Sequence, residues 1–127
     1  MTLVTRISAV ALATCFAAAL PAWAEPVKLS GAEIKKLFTG NTVHGDWAGK
    51  EYWSFFSADG WTTYRAKGGK PDDGRWYASE TQYCSTWHAG GATCYDIYKD
   101  SDKIIWETPI EKNRYVSELL TGDQVPK

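Results

Sequence analysis

After Gly45, the sequence alternates short segments rich in aromatic and β-branched residues with turns built from Gly, Asp, Ser and Pro. The segments are EYWSFFS, WTTYRA, RWYAS, QYCSTWH, TCYDIYK, KIIWETP and NRYVSELL. Short strands separated by such turns are typical of an antiparallel meander. Six or seven strands at this spacing favour a small closed or nearly closed barrel, and a curved sheet packed on a helix is the alternative. The sequence therefore predicts a mainly β fold.

One short helix precedes the strands, in the segment LSGAEIKKLFTGN. Ser30 is placed to be its N-cap, and Glu33 follows three residues later, which is the capping-box pattern. Ile34, Leu37 and Phe38 lie on one face at helical spacing, and the Gly-Asn pair that follows is a C-terminal stop. A helix of about two turns is too short to be stable alone, so we expect its apolar face to dock on the sheet.

Large apolar side chains lie on both faces of several predicted strands. Successive side chains of a strand point to opposite faces, so Tyr52 and Phe56 oppose Trp53 and Phe55. One face alone therefore cannot form the whole core. We expect the second face either to be covered by the helix and tail or to form an aromatic surface or cavity.

Cys84 and Cys94 are expected to form a disulfide, because an even pair of cysteines in an exported protein is typical of a bridge. A hairpin centred on Ala89 places the two cysteines directly opposite each other on neighbouring strands. A metal site is the alternative, but the spacing, with only His88 between the cysteines, matches no common zinc pattern. Closing this loop is expected to contribute about 3 kcal/mol of stability.

The first 24 residues have the layout of a secretory signal peptide. Arg6 precedes an uncharged run from Ile7 to Leu20, and small residues precede a cleavage position predicted after Ala24. The run is shorter than the roughly 18 to 20 apolar residues that a membrane span requires. We therefore expect a periplasmic or secreted protein. Its mature chain, from Glu25, is predicted to be one β-rich domain with a loose C-terminal tail from about Thr121.

The charge balance argues against several kinds of partner. The chain has 14 Lys and Arg against 15 Asp and Glu, and signal-peptide removal takes away one basic residue. Nucleic-acid binding requires clustered positive charge, and no polybasic segment is present for an anionic membrane surface. We expect a monomer that binds neither nucleic acid nor a membrane.

Four features occur together between residues 29 and 108. They are the capped helix ending in LFTGNTVHG, the aromatic strand and Asp-Gly turn of WSFFSADG, the Gly-x-Trp of GRWY, and the paired cysteines of YCSTW and TCYDIY. In this combination the chain resembles a family of small exported proteobacterial proteins classed as a domain of unknown function. The resemblance implies a periplasmic or secreted location and carries no established catalytic residues. The segment Gly74-Arg75-Trp76 is also similar to the Gly-x-Trp of lipocalin-like barrels, although there it opens the first strand and here it lies mid-chain.

The aromatic residues are the main candidates for a binding site. Trp and Tyr stack on sugars and planar ligands and anchor protein partners, while core packing is the alternative explanation for most of them. The candidate ligand-binding residues are Trp53, Trp61, Tyr64, Trp76 and Trp87, with Arg65 and His88 as polar contacts.

The remaining polar residues show no catalytic pattern. The sequence has no nucleophile elbow, phosphate loop or zinc-protease helix, so no catalytic residue, metal or cofactor is predicted. Whether His44, next to Asp46 in TVHGDW, meets His88 in space is left open, and ordinary surface histidines are the alternative. Five aspartates are interpreted as turn residues, because Asp bonds its own backbone in turns: Asp59, Asp72, Asp73, Asp100 and Asp102.

The sequence favours a non-catalytic periplasmic binding module for a small apolar or planar ligand or a glycan. The alternative is a protein-interaction module, such as an inhibitor or an envelope accessory protein, that uses an exposed aromatic patch. An enzyme of unrecognised type is a third hypothesis. A cavity lined by buried aromatic residues favours the first, a flat exposed patch the second, and a pocket with clustered carboxylates or both histidines the third.

Overall fold

The computed structural model describes residue 2 and residues 10–19, 24–88 and 91–127. These residues contain one helix, α1 (Gly31–Phe38), and nine strands. The strands are β1 (Val27–Lys28), β2 (Asn41–Trp47), β3 (Lys50–Phe56), β4 (Trp61–Ala66), β5 (Asp72–Ala78), β6 (Tyr83–Thr86), β7 (Thr93–Asp100), β8 (Lys103–Glu107) and β9 (Arg114–Thr121). The predicted mainly β fold with one short N-terminal helix is confirmed.

Strands β2 to β9 form a closed, lipocalin-like antiparallel barrel in which each strand pairs with the next along the chain. The ring closes because β9 pairs with β2, where Val43 lies opposite Leu119. Strand β1 is an additional strand that pairs with β7, with Val27 opposite Lys99. Closure leaves no unpaired edge in the ring. Of the two predicted architectures, the structure therefore has the barrel.

The barrel contains eight strands rather than six or seven, and the strand that the pattern misses is β2. Its segment NTVHGDW places His44 and Asp46 on the outer face and Gly45 in the middle, so the apolar alternation is weak. The glycine has a packing reason: a Cβ at Gly45 would lie 2.7 Å from the Ser117 Cβ on β9. The close approach of β2 to β9 therefore explains Gly45, the residue that makes β2 difficult to recognise as a strand from the sequence.

Helix α1 begins with the predicted capping box. Ser30 Oγ accepts a hydrogen bond from the Glu33 backbone N–H, and the Glu33 carboxylate accepts one from the Ser30 N–H at 2.8 Å. Leu29, before the cap, and Ile34, inside the helix, are both buried in the core. These contacts fix the entry of the chain into the helix and turn its apolar face toward the barrel.

The ring of Phe38 closes one end of the barrel. Its centroid lies 4.8 Å from that of Phe56 on β3, 5.8 Å from that of Tyr83 on β6, and 5.5 Å from that of Trp106 on β8. Because rings from three separated strands meet the same side chain, Phe38 occupies the middle of the barrel end. The barrel is therefore closed at the helix end, which the β3–β4, β5–β6 and β7–β8 turns share.

The predicted disulfide is present. Cys84 on β6 and Cys94 on β7 are bonded to each other and lie directly opposite in the strand pairing. The register is therefore the one that a hairpin centred on Ala89 predicts. Ala89, on which the predicted hairpin is centred, and Gly90 lie outside the described residues.

The predicted signal peptide falls partly outside the described residues, which include only residues 2, 10–19 and 24 of the first 24. Residues 10–19 have no regular secondary structure, and Val10, Leu12 and Phe16 are exposed. Within the described part of the chain, the structure contains no helix with the length and apolar character needed to span a membrane. Cleavage after Ala24 and export remain predictions.

The C-terminal tail, expected to be loose, is hydrogen-bonded to the outer face of the barrel. Thr42 Oγ1 donates to the Gly122 carbonyl at 2.7 Å and accepts from the Gln124 N–H at 2.9 Å. Arg65 Nη1 donates to the Pro126 carbonyl at 2.7 Å. These bonds attach the tail to β2 and β4.

Candidate functional site

A cavity opens into the barrel at the end opposite helix α1. It has a volume of about 310 Å³, at the lower end of the range for small-molecule sites. We call it the barrel cavity, and its lining residues are Trp47, Tyr52, Ser54, Tyr64, Asp72, Tyr83, Ser85, Trp87, Tyr95 and Trp106. Every strand from β2 to β8 contributes a residue to this lining. Trp87 also lines the cavity and lies directly after the end of β6. The alternation of side chains along the strands therefore directs one aromatic set inward.

The aromatic rings form a continuous wall. Trp47 lies edge-on to Tyr95, with 5.6 Å between ring centroids, and edge-on to Trp106 at 6.2 Å. On the other side, Tyr64 stacks with Tyr52 at 5.6 Å and meets Trp87 edge-on at 6.1 Å. These separations lie within the favourable range for aromatic pairs. The rings therefore hold one another in place and present their surfaces to the cavity.

The tyrosines of the cavity are neutral phenols at physiological pH. Burial raises the pKa of each of them above its ordinary value: Tyr52, Tyr64, Tyr83 and Tyr95. A tyrosinate anion formed there would lose part of its hydration, so the neutral phenol is favoured. The tyrosines therefore border the cavity as neutral groups and add no negative charge to it.

The Tyr52 hydroxyl is buried without a hydrogen-bond partner among the described residues. The Ser117 side chain partly counteracts the rise in the Tyr52 pKa, but it makes no hydrogen bond of acceptable geometry with this hydroxyl. Ser117 Oγ instead accepts from Trp106 Nε1 and donates to the Ile104 carbonyl, both at 3.1 Å. An unpaired buried hydroxyl costs about 1–3 kcal/mol, so this hydroxyl is a local cost to stability.

Asp72, at the start of β5, lies at the mouth of the cavity. Its Oδ1 is 3.0 Å from His88 Nδ1, and both side chains are substantially exposed. A Cβ at Gly74, two residues along β5, would lie 2.7 Å from the Trp87 ring. The glycine of the Gly-x-Trp segment therefore makes room for Trp87 beside the mouth.

The structure brings together only some of the predicted binding residues. Tyr64 and Trp87 line the barrel cavity, and His88 contacts the mouth through Asp72. Trp76 lies in the core, where its Nε1 donates to the Ser57 carbonyl at 3.0 Å. Trp76 therefore has the core-packing role that was the alternative prediction for the aromatic residues.

The other three predicted binding residues face outward. Trp53 stacks on His44 with 4.8 Å between ring centroids, and Arg65 Nε donates to the Gly69 carbonyl. Trp61 is 47 % exposed, and the Arg75 guanidinium lies 4.0 Å from its ring centroid. These residues do not share a site with Tyr64 and Trp87.

Several cavity residues were not among the sequence candidates. Trp47, Tyr52, Tyr95 and Trp106 line the wall, and Asp72 lies in strand β5 at the mouth. The interpretation of Asp72 and Asp73 as turn residues is wrong, because both are paired with β4. Strand parity places Tyr52 and Tyr95 on the faces that turn inward, but it does not distinguish a cavity from a packed core.

His44 lies on the outer face of the barrel, between two glutamates. Its Nδ1 is 2.9 Å from Glu118 Oε1, and its Nε2 is 2.8 Å from Glu51 Oε1. Partial burial by itself lowers the His44 pKa, but the two carboxylates outweigh this effect and raise the pKa above its ordinary value. The hydrogen bond from His44 is the largest reason that the Glu51 pKa is lowered, and Lys67 adds to it.

Replacing His44 with glutamine is expected to destabilise the protein more near pH 5.5 than above about pH 8. A raised pKa gives stability that is full below the unfolded-state value of about 6.5 and is lost as the pH rises through the folded-state value. Partly exposed ion pairs contribute up to about 1 kcal/mol, so the difference is small but measurable by urea unfolding at both pH values. A destabilisation that grows with pH would contradict this assignment.

The two histidines do not form a common site. His44 pairs with Glu51 and Glu118, whereas His88 pairs with Asp72. In the described ranges, no three His, Cys, Asp or Glu side chains are grouped closely enough to hold a metal ion. A pocket that contains both histidines is therefore not formed. A second pocket, of about 380 Å³ on the outer face of the barrel, does bring three carboxylates together beside His44: Asp46, Glu51 and Glu118. This clustered-carboxylate geometry is the one that keeps the enzyme hypothesis open.

Comparisons with known proteins give no match. No protein-family model matches the chain. No curated protein and no solved structure matches it either. The functional assignment therefore rests on the chemistry of the barrel cavity.

Proposed function

We propose that this protein is a non-catalytic periplasmic binding module that takes a small, largely apolar or planar ligand into the barrel cavity. The observation that carries the proposal is the aromatic lining of a cavity of about 310 Å³. Ligand sites are typically concave, mostly apolar and supplied with a few polar groups. The barrel cavity has this composition, with Ser54, Ser85 and Asp72 as polar residues in its lining.

The lining favours a planar ligand over a glycan. Sugars require several hydrogen bonds for each ring, and the lining consists mainly of Trp and Tyr rings. Ser54 Oγ is already engaged with Thr62 Oγ1 at 3.3 Å. The periplasmic location is supported by the predicted signal peptide and by the Cys84–Cys94 disulfide, because such bridges persist in oxidising compartments.

A second candidate function is protein interaction through an outward aromatic patch. Trp61 and Tyr77 are 47 % and 51 % exposed, and Arg75, between them on the same face of the sheet, stacks on Trp61. Trp, Tyr and Arg are enriched among the residues that dominate binding energy at protein interfaces. The patch, formed by Trp61, Arg75 and Tyr77, is the observation that favours this candidate.

Native mass spectrometry of the mature protein purified from the periplasm is the first experiment. A retained small-molecule mass, absent from an unfolded sample, is expected if the cavity is a ligand site. The unfolded sample also tests cleavage after Ala24 and the mass loss due to the disulfide. A monomer without a bound small molecule, together with a second protein that copurifies with it, would favour the outward patch instead.

A matched pair of tryptophan variants locates the binding site. With indole as a small planar probe, Trp87→Ala is expected to weaken binding about tenfold, since a ring of the cavity wall is removed. Trp61→Ala removes the same side chain from the outer patch and is expected to leave indole affinity unchanged. Ligand-observed NMR titration measures both. Loss of binding in Trp61→Ala with none in Trp87→Ala would contradict the cavity as the site.

A further inference from the structure

The charge in the barrel cavity is entirely of one sign. Among the described residues that line it, Asp72 is the only charged side chain, and no Lys or Arg is present. The four tyrosines are neutral at physiological pH because an ordinary phenol has a pKa near 10, and burial raises their pKa values further. An anionic ligand would therefore meet the Asp72 carboxylate at the mouth, where the adjacent basic group, His88, is already paired with that carboxylate.

The aromatic walls add to this preference. The face of an aromatic ring carries partial negative charge and attracts a cation within about 6 Å of its centroid, and Trp does so most strongly. The ring centroid of Trp47 lies 5.6 Å from that of Tyr95 and 6.4 Å from that of Tyr52. The centroids of Tyr64 and Trp87 are 6.1 Å apart. These distances are contacts between neighbouring rings that border the cavity together, so a cation at the cavity wall lies close to more than one ring.

The carboxylate is positioned at the same end of the cavity. Asp72 is paired with Tyr64 across β5 and β4, so its side chain and the Tyr64 ring lie side by side on the inward face. His88 Nδ1 lies 3.0 Å from Asp72 Oδ1, which orients the carboxylate at the mouth. Asp73, the next residue, faces outward and accepts a hydrogen bond from Thr63 Oγ1 at 2.8 Å.

We propose that the ligand of the barrel cavity is an organic cation, a quaternary or protonated amine. Its charged group lies among Trp47, Tyr52, Tyr64 and Trp87, next to the Asp72 carboxylate, and its apolar part lies deeper, toward Trp106. This inference rests on the proposed function, because it assigns a chemical class to the ligand of the same cavity. The aromatic rings supply cation–π attraction, and the Asp72 carboxylate supplies the opposite charge.

The test compares phenyltrimethylammonium with its neutral isostere, tert-butylbenzene. The two molecules have nearly the same shape, so a difference in affinity reports the charge. NMR titration of the mature protein is expected to show that the cation binds about tenfold tighter or more, as is typical of a cation–π site. Equal binding of the two probes, or tighter binding of tert-butylbenzene, would overturn the cation assignment while leaving the cavity as a binding site.

Two aspartate variants provide the matched control. Asp72→Asn is expected to weaken binding of phenyltrimethylammonium about fivefold to tenfold and to change binding of tert-butylbenzene less than about twofold. Asp73→Asn, on the outward face, is expected to change neither. An equal loss in both variants would show nonspecific attraction and overturn the proposal. Binding of neither probe to the wild-type protein, together with no retained mass in the native spectrum, would overturn the proposed function as well.

Discussion

Replacing Gly31 with alanine is expected to lower the free energy of unfolding by about 2–4 kcal/mol. A Cβ at this position would lie 1.6 Å from the Ser79 carbonyl oxygen and 2.8 Å from its carbonyl carbon. Both atoms belong to the backbone of the β5–β6 turn, and the Gly31 N–H donates to the Glu80 carbonyl at 2.8 Å. The turn cannot shift away from the added methyl group without breaking the Gly31–Glu80 hydrogen bond. The helix therefore has to move away from the barrel end.

This expectation is opposite in sign to the one given by helix propensity. Alanine is the better helix former by about 1 kcal/mol in a helix interior, so an undocked helix would be stabilised by the substitution. Urea unfolding of the mature protein distinguishes the two results. Gly91→Ala is the matched control, because a Cβ there has no neighbour within 4 Å among the residues that the structure describes, and its effect is expected to stay within about 0.5 kcal/mol. A Gly31→Ala protein at least as stable as the wild type would mean that α1 does not pack against the turn.

The parts of the fold that follow from local chemistry could be predicted from the sequence. The capping box of Ser30 and Glu33 depends only on residues three apart, and both of its hydrogen bonds are present. The pairing of Cys84 with Cys94 follows from the symmetry of a hairpin about its centre, and the register confirms it. In both cases the partners lie within one element or two consecutive elements, so no long-range information is needed.

Strand β2 and the tail could not be predicted in the same way, because distant residues define them. Gly45 is explained by the close approach of Ser117, and Thr42 is buried by hydrogen bonds to the tail at Gly122 and Gln124. Each of these partners is more than seventy residues away along the chain. A Gly in the middle of a segment and a Thr on its outer face give no local indication of either contact.

The candidate site was only partly predictable, because sequence parity assigns a face but not the space beside it. Trp76 and Trp87 both face inward, yet Trp76 is packed in the core and Trp87 lines the barrel cavity. The difference is their position along the barrel axis relative to the ring of Phe38, which fills the helix end. Aromatic residues there become core, and those at the opposite end border open space.

Replacing Phe38 with alanine is therefore expected to have the largest effect on stability of any single truncation in α1, about 3–5 kcal/mol. Phe38 is fully buried, and the substitution removes a ring that contacts Phe56, Tyr83 and Trp106 together. Total stabilities of domains are about 5–15 kcal/mol, so this loss would bring the protein close to unfolding at moderate temperature. Helix propensity works in the other direction, since alanine favours helix, and cannot account for a loss.

The measurement is urea unfolding of Phe38→Ala beside Phe55→Ala, which removes the same side chain from the half-buried outer face of β3. We expect the Phe55 variant to lose clearly less stability, and Phe38→Leu, which keeps part of the buried volume, to lie between wild type and Phe38→Ala.

Because Tyr83 and Trp106 contact Phe38 and also line the barrel cavity, loss of the Phe38 ring removes the support beneath the cavity floor. Binding of phenyltrimethylammonium by folded Phe38→Leu should therefore weaken, while Phe55→Ala keeps wild-type affinity. Equal losses of stability in the Phe38 and Phe55 alanine variants would show that helix α1 does not close the barrel.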